Sequence, residues 1–380
     1  MRSYDVIVVG VGGMGSAAAF HLARRGRRVL GLERFDVPNR MGSSHGLTRI
    51  IRLAYSESPG YVPLLRRAFH NWREAERLFG EPLLFTTGSI DAGPADHFVF
   101  AGSLASCRTH DIPHEALDAA EVNRRFPGYR LPPGHMALHQ ADGGFVASER
   151  AIVAHTTLAQ GFGADIRARE RVLGWTPHGE GVRVTTERGV YDAGRLVLSA
   201  GAWVDEFVPS LRGVAVPERQ VLGWFQPREP ALFRPDRFPV FNLAVEAGRY
   251  YGLPIWGMPG FKIGRYHHLG EARPADELDR DIRPADEAIL RDCVAQYFPR
   301  ADGPVMGLTA CMFTNTPDEH FIIDALPGLP QVCVASPCSG HGHKFCSVVG
   351  EILADLSEGH APGLDISAFR LERLTPSAAA

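Results

Sequence analysis

The chain opens on an apolar run, a glycine-rich turn and a second apolar pattern. Residues 4–10 read YDVIVVG, a continuous β-branched run typical of a strand buried on both faces of a parallel sheet. Residues 16–26, SAAAFHLARRG, predict a helix of small residues that ends at Gly26, because glycine is the usual residue at a helix C-terminus. Residues 27–33, RRVLGLE, predict a second strand that ends at Glu33. The start of the chain therefore predicts strand, turn, helix and strand in that order.

The turn between the first strand and the helix holds three glycines in a GxGxxG spacing. Gly10 permits a tight turn, Gly12 lets the backbone approach a pyrophosphate, and Gly15 lets the helix pack closely on the strand. The helix N-terminus attracts phosphates, and Glu33, 18 residues after Gly15, can accept hydrogen bonds from ribose hydroxyls. A bare glycine turn is the alternative, but both strands, the helix and the acid occupy the expected places. We therefore predict a dinucleotide site. The motif leaves NAD and FAD open, whereas the glutamate disfavours the 2′-phosphate of NADP.

The rest of the chain gives a coarser pattern. Residues 61–80 predict an amphipathic helix that ends at Gly80. Short strands broken by proline and glycine fill residues 86–145, and a stretch rich in Pro, Phe and Arg follows at residues 213–304. Residues 147–166 predict a helix that leads into a strand, and residues 171–203 predict a meander of strands that ends in a turn at Gly201. Residues 332–356 predict a strand, a glycine turn and a helix that begins near Lys344.

Composition and charge are those of a globular protein with a sizeable core. The 380 residues are 45% hydrophobic and 22% charged, and this length predicts two lobes or one large α/β domain with an insertion. The net charge of -3 gives no electrostatic case for nucleic acid or a charged membrane surface. Residues 6–23 look superficially like a signal peptide, but their glycines make a poor membrane helix, so we expect no membrane segment. Six scattered cysteines predict free thiols in a reducing cytoplasm.

Several separated segments together point to one enzyme family. In chain order they are GVGGMGSAAAFHLARRG, GSSHGLTRIIRLAY, LVLSAGAW, YYGLP, FKIGRYHH, CMFTNTPDEHFIID and SGHGHKF. With these segments the chain resembles, nearly end to end, the monomeric sarcosine oxidase family. These are flavoenzymes of the D-amino acid oxidase superfamily, which includes N-methyltryptophan oxidase and pipecolate oxidase.

The resemblance implies an α/β (α+β) fold, with a Rossmann-like FAD-binding domain and an interleaved antiparallel-sheet substrate domain. We expect the FAD-binding domain to comprise residues 1–85, 145–212 and 305–372, and the substrate domain residues 86–144 and 213–304. The implied activity is oxidation of the C–N bond of a secondary amino acid by O₂. Its products are hydrogen peroxide and an imine, which hydrolyses to an aldehyde and a primary amino acid. The family is commonly monomeric, so we expect a monomer.

FAD is the cofactor that the resemblance implies. Cys311 occupies the position at which this family attaches the flavin through a thioether to its 8α-methyl carbon. Without the resemblance, a buried small hydrophobe would be the usual interpretation of a free cysteine. We assign the cofactor contacts to Gly10, Gly12, Gly15, Glu33, Arg34, Ser43, Ser44, Val172, Gly201, Trp203, Cys311, Gly340, His341, Gly342 and Lys344.

Cationic residues in two of the segments imply a substrate site. The resemblance implies that Arg52 and Lys344 hold the substrate carboxylate, and a planar guanidinium is the best-matched partner for that group. The resemblance also implies that Arg49 lies against the flavin face and that His45 lines the same cleft. Two surface arginines in a basic loop are the alternative, but the apolar pair Ile50–Ile51 is expected to carry them inward.

Two further segments contribute candidates. Lys262 matches the lysine that the family uses to activate oxygen; without the family it would be a solvated lysine at a strand edge. Tyr251 matches a pocket tyrosine. His267 is the better match to a pocket histidine, but the chain holds one extra residue, Arg265, before it, so His267 and His268 both remain open.

Some alternatives stay open at the level of sequence. Cys338, His341, His343 and Cys346 have a spacing that could be mistaken for a zinc site, but the family has a flavin-contacting turn there, and we expect no metal. We rank a small N-methyl amino acid such as sarcosine first as substrate. The alternatives are N-methyltryptophan or L-pipecolate, a flavin dehydrogenase that uses another acceptor, and a flavin-binding protein without turnover.

Overall fold

The computed structural model describes residues 3–336 and 339–374. The first apolar run forms the centre of an eight-stranded sheet, here called the first sheet. Strand β1 (Ser3–Val9) pairs in parallel with β2 (Val29–Leu32) and with β12 (Val190–Leu198). The other members of this sheet are β9 (Asp165–Arg167), β10 (Val172–His178), β11 (Gly181–Thr186), β18 (Ile322–Leu326) and β19 (Leu329–Ser336).

Both faces of β1 are covered, which explains its continuous apolar run. Val6 and Val8 pack among residues of a helical layer, while Ile7 and Val9 pack against the meander β10–β11. The helices of the layer are α1 (Gly13–Arg24), α2 (Val62–Phe79), α5 (Ser148–Gly161) and α8 (Cys346–Ser357). The predicted helix at residues 61–80 is confirmed as α2, which ends at Gly80 in the left-handed conformation.

A second sheet of eight strands has the spatial order β17-β13-β16-β15-β14-β5-β7-β6. Neighbouring strands are antiparallel except β14 and β5, which are parallel. Its strands are β5 (Ser89–Pro94), β6 (Glu115–Asp118), β7 (His135–Gln140), β13 (Val216–Phe225), β14 (Val240–Val245), β15 (Gly248–Leu253), β16 (Phe261–Arg265) and β17 (Val305–Asn315).

Smaller elements complete the chain. A three-stranded antiparallel sheet consists of β3 (Thr48–Ile51), β8 (Gly144–Ala147) and β4 (Leu84–Thr86). The remaining helices are α3 (Phe98–Thr109), α4 (Ala119–Arg125), α6 (Val204–Phe207) and α7 (Pro284–Tyr297). A single 3₁₀ turn, His343–Phe345, leads into α8, close to the helix start predicted at Lys344.

The structure corrects two details of the predicted organisation. Residues 86–145 contain the helices α3 and α4 as well as short strands. Strand β17 pairs along its length with β13, so residues 305–315 belong to the second sheet, whereas the prediction grouped them with the FAD-binding segments. The division into two domains stays a prediction. Within the described residues, no helix combines the length and apolar character needed to cross a membrane.

Candidate active site

A large cavity is lined by residues of both the first and the second sheet. It encloses about 1790 Å³, including the part open to solvent. The lining extends from the glycine turn before α1 to Arg52 and Lys344, so the residues expected to hold a cofactor and those expected to hold a substrate share one cavity. The predicted residues that line it are Gly10, Gly12, Glu33, Arg34, Ser43, Ser44, Arg49, Arg52, Val172, Gly201, Trp203, Tyr251, Cys311, Gly340, His341, Gly342 and Lys344. Four predicted residues lie outside the lining: Gly15, His45, Lys262 and His267.

The three glycines of the motif, two in the turn before α1 and Gly15 in the first turn of α1, differ in what surrounds them. Gly10 has a φ of 88°, which glycine adopts readily. A Cβ at Gly15 would lie 1.8 Å from the Gly10 oxygen, so Gly15 serves the close packing of helix on strand and not the cavity itself. A Cβ at Gly12 would meet no atom nearer than the Ser44 Oγ at 3.9 Å, and it would project beside open space. This is the arrangement that a pyrophosphate site requires.

Glu33 lies at the end of β2, at the same edge of the sheet. Its carboxylate accepts hydrogen bonds from the backbone N–H groups of Val11 at 2.8 Å and Phe35 at 3.0 Å. Burial raises the pKa of Glu33, although these two bonds oppose the shift. Nearby, the Arg34 guanidinium stacks on Trp203 and pairs with Asp276, so the cavity wall carries an aromatic surface. The glycine turn, the open space at Gly12 and the acid fit a dinucleotide cofactor.

Cys311, on β17, lies against the loop that precedes β3. The Arg49 guanidinium donates to the carbonyl oxygens of Ser43 at 2.7 Å and His45 at 2.5 Å, and lies 3.8 Å from the Cys311 Sγ. Burial alone would raise the pKa of the Cys311 thiol, but the charge and hydrogen bond of His45 and the charge of Arg49 lower it to about 6. His45 and Arg49 therefore favour the thiolate form of Cys311. His45 is buried behind the cavity wall, not in its lining.

Lys262 lies directly behind the loop. Its ammonium group donates to the carbonyl oxygens of Gly46 at 2.7 Å and Thr48 at 2.8 Å, and to the Thr48 hydroxyl at 3.1 Å. Burial, with the charge of Arg49, holds the pKa of Lys262 well below its usual range. The alternative interpretation, a solvated lysine at a strand edge, does not apply, because Lys262 is 2% exposed.

Arg52 and Lys344 come from distant parts of the chain and meet at one end of the cavity. The Arg52 guanidinium lies 5.2 Å from the centre of the Tyr55 ring, and the Lys344 Nζ lies 5.1 Å from the same centre. The Lys344 Nζ also donates to the His341 carbonyl at 2.7 Å. Burial and the charge of Arg52 lower the pKa of Lys344 to about 7. We call this end of the cavity the cationic end.

Residues that sequence reasoning missed also shape the cationic end. Arg249 pairs with Glu57 at 2.7 Å, and its guanidinium lies 3.9 Å from the centre of the Tyr266 ring, which lines the cavity. Although burial would raise the pKa of Glu57, the charge of Arg249 holds it well below its usual value. Asp91 and Asn242 were missed as well. The signal in the sequence was a carboxylate and an amide inside strands that are otherwise apolar, because a polar side chain buried in such a strand needs a hydrogen-bond partner.

Neither of the two histidines that remained open for the pocket, His267 and His268, lines the cavity. The side chain of His267 is 49% exposed and pairs with Glu218 and Glu319, whose hydrogen bonds raise its pKa to about 10. His268 is buried against Asp286, away from the cavity lining. Both residues have positive φ, so the chain turns sharply just after β16. The preceding residue, Tyr266, lines the cavity instead.

The cysteine and histidine spacing that could suggest zinc is only partly covered by the structure. Cys338 lies outside the described residues. Across residues 3–336 and 339–374, no group of three or more His, Cys, Asp or Glu side chains could hold a metal ion. His341 instead hydrogen-bonds the Tyr55 hydroxyl through Nδ1 at 2.5 Å and donates from Nε2 to the Glu319 carbonyl at 2.9 Å.

Comparison with known proteins agrees with this geometry. Residues 5–356 match the family described as FAD dependent oxidoreductase. The chain belongs to this family. It is 40% identical to monomeric sarcosine oxidase from Streptomyces avermitilis over 99% of both chains. It is also 36% identical to N-methyl-L-tryptophan oxidase from Salmonella newport, over 98% of this chain and 99% of that one. FAD is therefore the cofactor that the glycine turn and Glu33 fit.

Solved structures show the same architecture. NikD, an amino acid oxidase essential for nikkomycin biosynthesis, is 28% identical and superposes with a TM-score of 0.83 over 100% of this chain and 99% of that chain. Glycine oxidase from Geobacillus kaustophilus has a TM-score of 0.82 over the whole of both chains at 20% identity, a likeness of fold alone. The predicted α/β fold with a Rossmann-like FAD-binding part is thereby confirmed.

Proposed function

We propose that this flavoenzyme oxidises the C–N bond of a secondary amino acid with O₂, and that a small N-methyl amino acid such as sarcosine is its substrate. The observation that carries the proposal is the cationic end of the cavity. Arg52 and Lys344 line a cavity that also holds the cofactor residues, so a bound carboxylate would place the neighbouring amine in the same space. The full-length similarity to sarcosine and N-methyltryptophan oxidases supports this substrate class.

The chain's own residues perform binding, orientation and control of charge. FAD supplies the acceptor for the hydride that leaves the substrate carbon. Arg52 and protonated Lys344 attract the carboxylate, and Tyr251 and Tyr266 form the wall beside it. Oxidation requires the neutral amine, and both burial and nearby cations lower the pKa of an amine. The described cavity can therefore favour the reactive form without a dedicated base.

The test is oxygen consumption by the purified flavoprotein with sarcosine, N-methyltryptophan, L-pipecolate and glycine. We expect the secondary amino acids to consume O₂ and release an equal amount of hydrogen peroxide, with sarcosine the best of them. Reduction of a dye without oxygen uptake would favour the dehydrogenase alternative. Absence of turnover with the three secondary amino acids would contradict the proposal, whether or not glycine is oxidised.

We propose further that Cys311 holds FAD covalently, through a thioether between its Sγ and the 8α-methyl carbon. The low pKa of the thiol and its place in the cavity lining support this role. Joining a thiol to a methyl carbon removes two hydrogen atoms, which O₂ accepts as hydrogen peroxide. After acid precipitation, the wild-type pellet should stay yellow and fluorescent, and the Cys311→Ala pellet should be colourless. A colourless wild-type pellet would refute the covalent bond.

Lys262 is our proposed residue for reaction with oxygen, with His45 and Arg49 setting the charge around it. Lys262→Met should slow the reaction of reduced enzyme with O₂ while leaving anaerobic reduction by substrate nearly unchanged. Equal rates of reoxidation in both proteins would exclude this role.

We also propose a cytoplasmic monomer. Five free cysteines among the described residues fit a reducing compartment, and size-exclusion chromatography with light scattering measures the mass.

A further inference from the structure

Asp91 is a buried carboxylate in the middle of β5, and each of its oxygens has a partner. Oδ2 accepts from the Arg52 Nε at 2.8 Å and from the Ser103 hydroxyl at 2.9 Å. Oδ1 accepts from the Asn242 amide at 2.9 Å. The Asp91 side chain is 1% exposed and that of Arg52 is 2% exposed. Three elements, β5, α3 and β14, therefore fix the position of one carboxylate.

This carboxylate determines how Arg52 can present its guanidinium. The Nε–H donates to the Asp91 carboxylate, and Nη2 lies 3.4 Å from the Ser56 hydroxyl and 3.9 Å from the Glu57 carboxylate. Within the described residues, Nη1 forms no hydrogen bond, and the Arg52 side chain lines the cavity. An arginine side chain has several rotatable bonds, so its Nη edge faces one direction only when another contact fixes the guanidinium plane.

We propose that Asp91 is a positioning residue, which turns the Nη edge of Arg52 toward the carboxylate of the substrate. The inference rests on the proposed function, because it requires that Arg52 binds a carboxylate. A competing role predicts the opposite result. If Asp91 acted only as a counter-charge, its removal would leave Arg52 with uncompensated positive charge and strengthen the binding of anions.

The experiment uses the flavoprotein and acetate as a carboxylate probe, with Kd measured by calorimetry. Asp91→Ala should weaken acetate binding at least about tenfold, because the guanidinium loses its anchor. Asp91→Asn keeps an oxygen that can accept from Nε, so its Kd should stay within about threefold of the wild type. The matched control is Asp286→Ala. Asp286 forms a buried pair with Arg219 at 2.7 Å away from the cavity lining, and its loss should leave the Kd unchanged.

Steady-state kinetics separate positioning from general damage. Asp91→Ala should raise KM for sarcosine about tenfold or more and should change kcat/KM for N-methylglycinamide, which lacks the carboxylate, by less than about twofold. A structural defect would affect both compounds alike. If Asp91→Ala does not fold, Ser103→Ala decides, because it loosens Asp91 without leaving Arg52 unpaired; its acetate Kd should rise about threefold.

The outcomes distinguish this inference from the proposed function. Unchanged or tighter acetate binding in Asp91→Ala, or in Ser103→Ala where that variant has to decide, would overturn the positioning role. A wild-type protein that binds no acetate and oxidises no secondary amino acid would instead refute the proposed function itself.

Discussion

The charged residues at the cationic end together have a net charge that suits one bound carboxylate. Arg52, Arg249 and protonated Lys344 are cationic, and Asp91 and Glu57 are anionic, so one positive charge is in excess. A substrate with one carboxylate and a neutral amine cancels that excess. A dicarboxylate would leave a buried negative charge, which is costly.

Lys344 should make carboxylate binding depend on pH. Its pKa is lowered to about 7, so its positive charge is present below that pH and is lost as the pH rises through it. We expect the acetate Kd to be lowest below pH 7 and to rise by up to about tenfold per pH unit above it. Calorimetry across this range checks the slope. Lys344→Met should bind weakly with little pH dependence; a variant that keeps the wild-type slope would exclude Lys344 as its source.

Some of these residues could be identified from the sequence and others could not. Arg52 and Lys344 were found because each stands in a motif shared with a family. His267 lies outside the cavity lining because the extra residue Arg265 and two consecutive positive-φ residues redirect the chain after β16. Motif spacing carries no information about such a turn. Asp91 lies in the second sheet and Arg52 directly follows β3 of the three-stranded sheet, so only the tertiary fold brings them together and no local pattern could reveal the pair.

At the scale of elements, the glycine turn and α1 were predictable because their residue types follow from local geometry. Helix α3 was not, because Ser103 and Ser106 are buried while Phe98 is exposed, so no apolar stripe marks it. Strand β17 reads as a strand, but its sequence does not tell which sheet it joins. Its pairing with β13 is a non-local choice.

Gly12→Ala should separate cofactor binding from folding. The added Cβ would meet no protein atom closer than 3.9 Å, so the thermal midpoint of the cofactor-free protein should stay close to that of the wild type. The same methyl group would occupy the approach of the pyrophosphate, and the purified protein should retain far less flavin. Absorbance and circular dichroism measure the two effects. Gly15→Ala is the contrasting variant, because its Cβ would lie 1.8 Å from the Gly10 oxygen and should also impair folding. Full flavin content in Gly12→Ala would contradict the assigned site.

At the scale of the whole molecule, the helical layer should make the protein sensitive to acid. Burial lowers the pKa of His21 to about 4 and that of His155 to about 3, and His155 stacks on Trp72 and Phe20. Both stay neutral in the fold, whereas the unfolded chain binds protons near pH 6.5, so stability falls as the pH drops below that value.

His155→Phe should therefore resist acid better than the wild type. The pKa of His155 is about 3 in the fold and near 6.5 in the unfolded chain. At a pH between these two values, the free energy of unfolding of His155→Phe should exceed that of the wild type by about 2 kcal/mol. Unfolding by urea at acidic and neutral pH measures the difference. His360→Phe, at a side chain that is 66% exposed, is the control and should show no such gain. An identical acid response in wild type and His155→Phe would refute the explanation.

The central claim is that residues from distant parts of the chain enclose a flavin and hold a secondary amino acid beside it by its carboxylate. Anaerobic mixing with sarcosine, followed through the visible absorbance of the flavin, tests this most directly. The wild type should bleach and recover its colour when O₂ is admitted, and Arg52→Ala and Lys344→Met should bleach far more slowly at the same concentration. Colour that persists in the wild type with sarcosine, N-methyltryptophan and pipecolate, or bleaching indifferent to both substitutions, would contradict the account.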